Sequence, residues 1–137
     1  MKGTYTLLIK LPRDREIKIG ALGEIMFREG GYAYVGSGLK SLEARIERHL
    51  REEKRYHWHI DYFLPESKIK KVIYIESDKR KECVIAYKLD EVFSKIEDFG
   101  SSDCKCKSHL FFSKHISKLE EKIVSIFREI GSKPRKW

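Results

Sequence analysis

The stretch "GYAYVGSGLKSLEARIERHL", residues 31–50, changes its period midway, and that change decides the fold. "GYAYVG", 31–36, reads as a strand that ends at the turn glycines Gly36 and Gly38. From Leu39 onward, Leu39, Leu42, Ile46 and Leu50 follow helical spacing, and Ser41 stands where an N-cap is needed. At about 100° per residue, Arg45 lies on the flank of that stripe, His49 follows it one turn on, and Arg48 points away. Arg45 then overlooks the end of the strand, where Tyr34 and the turn glycines stand. Taken alone, these residues describe a surface arginine beside a structural turn as well as they describe a site.

On the amino-terminal side, "GTYTLLIKL" (3–11) reads as a strand ending before Pro12, and "DREIKIGALGEIMFREG" (14–30) as turn, short strand, turn and strand. On the other side, "KKVIYIES" (70–77) is the clearest buried strand. "KRKECVIAYKLDEVF" (79–93) is helical, with Ile85, Leu89, Val92 and Phe93 on one face. "SHLFF" reads as a short strand, followed by a helix with a stripe at Ile116, Leu119, Ile123, Phe127 and Ile130 that Gly131 ends. The expected fold is α+β, a small mixed central β-sheet flanked by helices with an extra C-terminal helix. One domain over 1–137 is expected, with a core of about 2–113, a helix of about 114–130 and a basic tail at 131–137.

The 137 residues carry 29 Lys and Arg against 21 Asp and Glu, a net charge of +8 that favours a polyanionic partner, nucleic acid above all. With 36% of residues charged and both signs interspersed, a well-solvated surface is the alternative. The chain has no Asn and no Gln, a heat-adapted composition. Three cysteines, an odd number, do not form a secreted disulfide framework, so a reducing, cytoplasmic setting is expected. No run approaches the length of a membrane helix, and the N-terminal apolar run lacks a small-residue cleavage site, so no membrane partner is expected.

"GTY" at 3–5 is followed about thirty residues later by "YVG" at 34–36, then by Arg45 and His49 on the next helix. This ordered set resembles the GIY-YIG nuclease superfamily. "HWHIDYFL" (57–64) and "FGSSDCKCKSHLFF" (99–112) look like the two hallmark blocks of one mainly archaeal branch, found free-standing or fused to a DNA-repair glycosylase domain. The resemblance implies hydrolysis of a phosphodiester with one divalent cation, Mg²⁺ or Mn²⁺. It makes Tyr5 the general base or its water-positioning partner, Tyr34 the second tyrosine at the attacking water, and Arg45 the cation facing the phosphorane. His49 supports Arg45 or touches a phosphate. Gly36, Ser37, Arg48, His57, His59, Ser102 and His109 are the substrate-binding candidates. The chemistry has its own logic: an oriented water, a positive group where charge develops, and a hard metal on oxygen. A tyrosine ordinarily titrates near ~10, so Arg45 or a metal has to lower it for base work.

The superfamily's metal ligand is a glutamate on a later helix. Glu82 shares a stripe with Ala86, Leu89 and Phe93, where a carboxylate needs a compensating cation, which favours it over Glu76. The alternative is a first-turn glutamate attracted by the helix dipole. The superfamily's late asparagine has no counterpart here; Ser102, Asp103 or His109 are the possible replacements, and efficient turnover is in question without one.

Asp103, Cys104, Cys106 and His109 also offer metal-ligand types within seven residues. One short C-x-C-x-x-H loop does not wrap a tetrahedron unaided, so a structural turn with buried thiols or a redox pair is preferred over zinc. His57, His59 and Asp61 alternate as on one face of a strand, and with Trp58 and Tyr62 between them a packed edge with DNA contact is expected. Three functions follow: a metal-dependent endonuclease on DNA, ahead of RNA; a non-catalytic nucleic-acid-binding module acting beside a DNA-repair protein; and, ranked lower, a zinc or redox module at Cys104 and Cys106.

Overall fold

The computed structural model describes residues 1–102 and 104–137. Along the chain run β1 (Gly3–Leu11), β2 (Arg15–Lys18), β3 (Glu24–Phe27), β4 (Gly30–Gly38), α1 (Leu42–Leu50), α2 (His59–Phe63), β5 (Lys68–Glu76), α3 (Glu82–Asp90), β6 (Ser94–Lys95), β7 (Leu110–Ser113), α4 (Ile116–Glu129) and β8 (Arg135–Lys136). Six strands form one sheet in the order β6-β7-β4-β1-β5-β8, and β2 and β3 form a separate hairpin. The ladders are antiparallel, and the α+β class is as expected.

β1 is central and buried on both faces, which is why its sequence is a nearly continuous apolar run. Tyr5, Leu7, Ile9 and Leu11 face α1, α2 and the hairpin, packing with Leu42, Ile46, Ile60, Phe63 and Phe27. Leu8, with Ala33 and Val35 of β4, faces α3 and α4 through Ile85, Leu89, Leu119 and Ile123. The result is three layers, helices and hairpin on one side of the sheet and two helices on the other.

The opening stretch folds with one change. The Ser41 hydroxyl accepts the Ala44 N–H at 3.1 Å, capping α1 as expected. The buried stripe, however, is Leu42, Ile46 and His49, and Leu50 is 45% exposed. Because the helix begins at Leu42, its inward positions fall at i, i+4 and i+7, and Leu50 turns away. Val92 is exposed for a related reason, since α3 stops at Asp90.

The strand edge expected over 57–61 is corrected. "HWHID" is no strand edge: His59 opens α2, so the alternation of His57, His59 and Asp61 places them in three different settings. The basic tail pairs with the outer edge of β5, and the indole of Trp137 packs against Tyr74. Among the described residues no helix is long and apolar enough to cross a membrane.

Candidate active-site cleft and thiol cluster

The β1–β4 register sets Tyr5 opposite Gly36 and Leu7 opposite Tyr34, so both tyrosines lie on the sheet face that packs against α1. A side chain at Gly36 would collide with Tyr5, its Cβ lying 2.5 Å from Cζ, so the glycine of "YVG" is the floor on which the Tyr5 ring lies. On the opposite face Thr4 meets Ser37, their hydroxyls 3.3 Å apart.

The Tyr5 hydroxyl lies 2.6 Å from Nε2 of His49. Both side chains are buried, and the other ring nitrogen of His49, Nδ1, has no hydrogen-bond partner among the described residues. Burial holds the imidazole neutral, pushed down to about 3. Burial also drives the hydroxyls of Tyr5 and Tyr34 above their ordinary value, with Tyr34 raising Tyr5 and Glu82 raising Tyr34; Arg45 offsets only part of this. Both tyrosines are therefore neutral hydrogen-bonding groups at neutral pH. The lowering that base work requires is not produced by Arg45.

Before α2 the chain turns around Asp61. Its carboxylate accepts the backbone N–H groups of His57 and Trp58 at 2.8 and 2.9 Å, and the Arg48 guanidinium grips both its oxygens at 2.9 and 2.8 Å. Burial pushes the Asp61 carboxyl up, but Arg48 and the two N–H groups outweigh it and leave it below the usual range. Arg48 also donates to the Arg55 carbonyl, so it is fixed in place and does not point away. The guanidinium carbons of Arg45 and Arg48 lie 4.4 and 4.3 Å from the centre of the Trp58 indole. Arg45 pairs with no carboxylate among the described residues, and its charge is available to an anion.

These elements enclose a cleft of about 820 Å³ between β4, α1, the start of α2, the start of α3 and the segment before β7. Lys40, Arg45, Arg48 and Arg80 line it with Tyr34, Trp58 and, among the described residues, one carboxylate, Glu82. The carboxylate of Glu82 lies 3.5 Å from the Arg80 guanidinium. Next to Glu82, on the same turn of α3, stands Cys83. Its Sγ, the sulfurs of Cys104 and Cys106 and a ring nitrogen of His109 all lie within 4.8 Å of one another. His109 Nε2 is 3.4 Å from Cys104 Sγ.

A family profile described as "Domain of unknown function DUF123" matches residues 4–132, a span that takes in the cleft and the thiol cluster. The chain belongs to the DUF123 family. No curated protein and no solved structure matches it.

In this DUF123 chain the sequence candidates separate into two groups. Tyr34, Arg45, Glu82, Gly36, Ser37, Arg48 and His109 line the cleft together. Tyr5 and His49 do not; they form a buried pair beneath it, and His49 is too enclosed to touch a phosphate. His59 is half-buried and uses Nδ1 to accept the Gly100 N–H at 2.8 Å, while His57 and Ser102 are exposed and stand outside the cleft lining. Asp103 lies outside the described residues.

The expected cofactor is corrected. A hard cation such as Mg²⁺ or Mn²⁺ needs several oxygen ligands, and among the described residues Glu82 is a single carboxylate in a lining of basic side chains. The donor set that DUF123 assembles here is instead three thiols and an imidazole, a soft set suited to zinc. One short loop does not close a tetrahedron around zinc by itself, but α3 brings the missing donor, Cys83. Cys83 and Arg80 were the residues sequence reasoning missed. Neither carries a local signal, since only the packing of α3 on the sheet brings them to the cleft.

Proposed function

We propose that this chain is a nuclease of GIY-YIG type that binds the sugar-phosphate backbone of nucleic acid, DNA ahead of RNA, and hydrolyses a phosphodiester in the cleft. One observation carries the reading: Tyr34 from β4, Arg45 from α1 and Glu82 from α3 converge on a single basic cleft. Arg45, which pairs with no carboxylate among the described residues, faces the charge that develops on the equatorial oxygens. The Glu82 carboxylate holds the attacking water and takes its proton, and the Tyr34 hydroxyl, neutral, orients the phosphate by hydrogen bonding. Water adds to phosphorus, the bond to the leaving oxygen breaks, and that oxygen takes a proton from solvent. Trp58, with two guanidiniums over its ring, holds Arg45 and Arg48 at the cleft. Tyr5 and His49 position this floor without touching substrate. A cytoplasmic setting agrees with three free thiols.

A second reading, a nucleic-acid-binding module that works beside a DNA-repair enzyme, is favoured by the two tyrosines being held neutral by burial. The two separate experimentally. Labelled single-stranded, duplex, flap and four-way-junction DNAs are incubated at high temperature with the wild-type protein and with Arg45→Ala. The nuclease predicts products from at least one structure and their loss in the variant; salt-sensitive binding without products from any of them leaves the binding module.

A further inference from the structure

We propose that Cys83, Cys104, Cys106 and His109 bind one zinc ion in a closed, structural site that fastens the first turn of α3 to the segment joining β6 to β7. The four donors come from two parts of the chain separated by a helix and a strand, and they converge within 4.8 Å. In a tetrahedral zinc site with bonds of about 2.3 Å, sulfurs lie about 3.8 Å apart, so small side-chain adjustments complete the geometry. A disulfide would use two sulfurs and leave a third thiol and the imidazole without a role. A metal accounts for all four.

The protein already holds one side of this site. The His109 N–H donates to the Phe99 carbonyl at 2.8 Å, and its carbonyl accepts the Val35 N–H at 3.0 Å, next to Tyr34. The Cys104 N–H donates to Ser101. The imidazole is thereby fixed to β4 while Cys83 arrives on a separate helix, and the metal is the link between them. Four protein ligands leave no open position, so the ion activates no water itself. Binding releases three thiol protons and changes no oxidation state. Three thiolates on Zn²⁺ leave one negative charge, with Lys105 and Lys107 on the same segment to offset it. Because Glu82 precedes Cys83, and Cys104 and His109 line the cleft, the ion also fixes the cleft wall. The site stands whether or not the cleft cuts nucleic acid.

The test is the metal content of untagged protein by mass spectrometry, with Zn²⁺ and Co²⁺ as probes. Expected are one zinc per chain and, after exchange with Co²⁺, thiolate charge-transfer and tetrahedral bands that added azide leaves unchanged. The zinc is lost in Cys83→Ser and in His109→Ala. In wild type, chelation lowers the melting temperature and fresh Zn²⁺ restores it. Wild-type protein that carries a disulfide, or that takes up no Zn²⁺, overturns the proposal. Full zinc retention in Cys83→Ser overturns the link to α3, and bands shifted by azide overturn the closed site.

Discussion

The Tyr5 hydroxyl and Nε2 of His49 lie 2.6 Å apart inside the core, beneath a cleft that neither of them lines. Tyr5 of β1 is thus tied to the helix that carries Arg45, and the pair sets how α1 sits on the sheet.

This pair makes stability depend on acid. His49 is pushed down to about 3 in the folded protein, against an ordinary value near 6.5 in the unfolded chain. The unfolded state therefore binds the extra proton first. His49's contribution is complete above about pH 6.5 and is lost as pH falls toward 3, by about 1.4 kcal/mol per unit. His59, also lowered by burial, adds in the same direction. Melting temperatures measured from pH 7 down to 4 should fall more steeply for wild type than for His49→Gln; parallel curves would exclude a buried neutral His49.

Asp61 and Arg48 give a second expectation. Asp61→Ala leaves a largely buried guanidinium and the N–H groups of His57 and Trp58 without their acceptor. A loss of about 3 kcal/mol is expected in urea unfolding, and less for Asp61→Asn, which keeps an accepting oxygen. Equal losses for the two variants would argue against this hydrogen-bonding role.

Gly36 is required by contact. Its backbone is extended, but a methyl group there would overlap the Tyr5 ring. Gly36→Ala should cost about 1–3 kcal/mol by thermal unfolding, because the ring must leave its place on His49. A neutral substitution would show that the ring has room to move.

Much of this architecture is legible in the sequence. β1, β4 and β5 follow from apolar and aromatic runs, α4 from the helical spacing of its buried stripe, and Ser41 and Gly131 mark helix ends by side-chain capping and a φ of +82°. "HWHID" misleads because alternation is read as a strand, when the informative residue is Asp61, whose carboxylate accepts the N–H groups that open α2. His49 reads as a flank residue because Leu50 is the more apolar neighbour; only a helix start at Leu42 turns the imidazole inward. Tyr34, Arg45 and Glu82 are found by pattern and do meet in the cleft. Cys83 is not, because its partners lie beyond a helix and a strand, and no local spacing links them.

The basic lining of the cleft predicts how binding responds to salt. If Arg45 meets a phosphate, Arg45→Ala should reduce the slope of log K against log[salt] by about 1 and weaken all sequences alike. Lys18→Ala, on the hairpin and outside the cleft lining, should leave the slope unchanged. Fluorescence anisotropy of a labelled oligonucleotide over a range of salt measures both.

In the proposed nuclease, Arg45 and Glu82 belong to one hydrolytic site with different tasks. DNA binding and DNA cleavage by the wild-type protein and by Glu82→Gln on the same labelled substrate test this directly. Glu82→Gln is expected to bind as well as wild type or better and to form no product, since it loses a proton acceptor and a negative charge together. Cleavage by Glu82→Gln at the wild-type rate would contradict it.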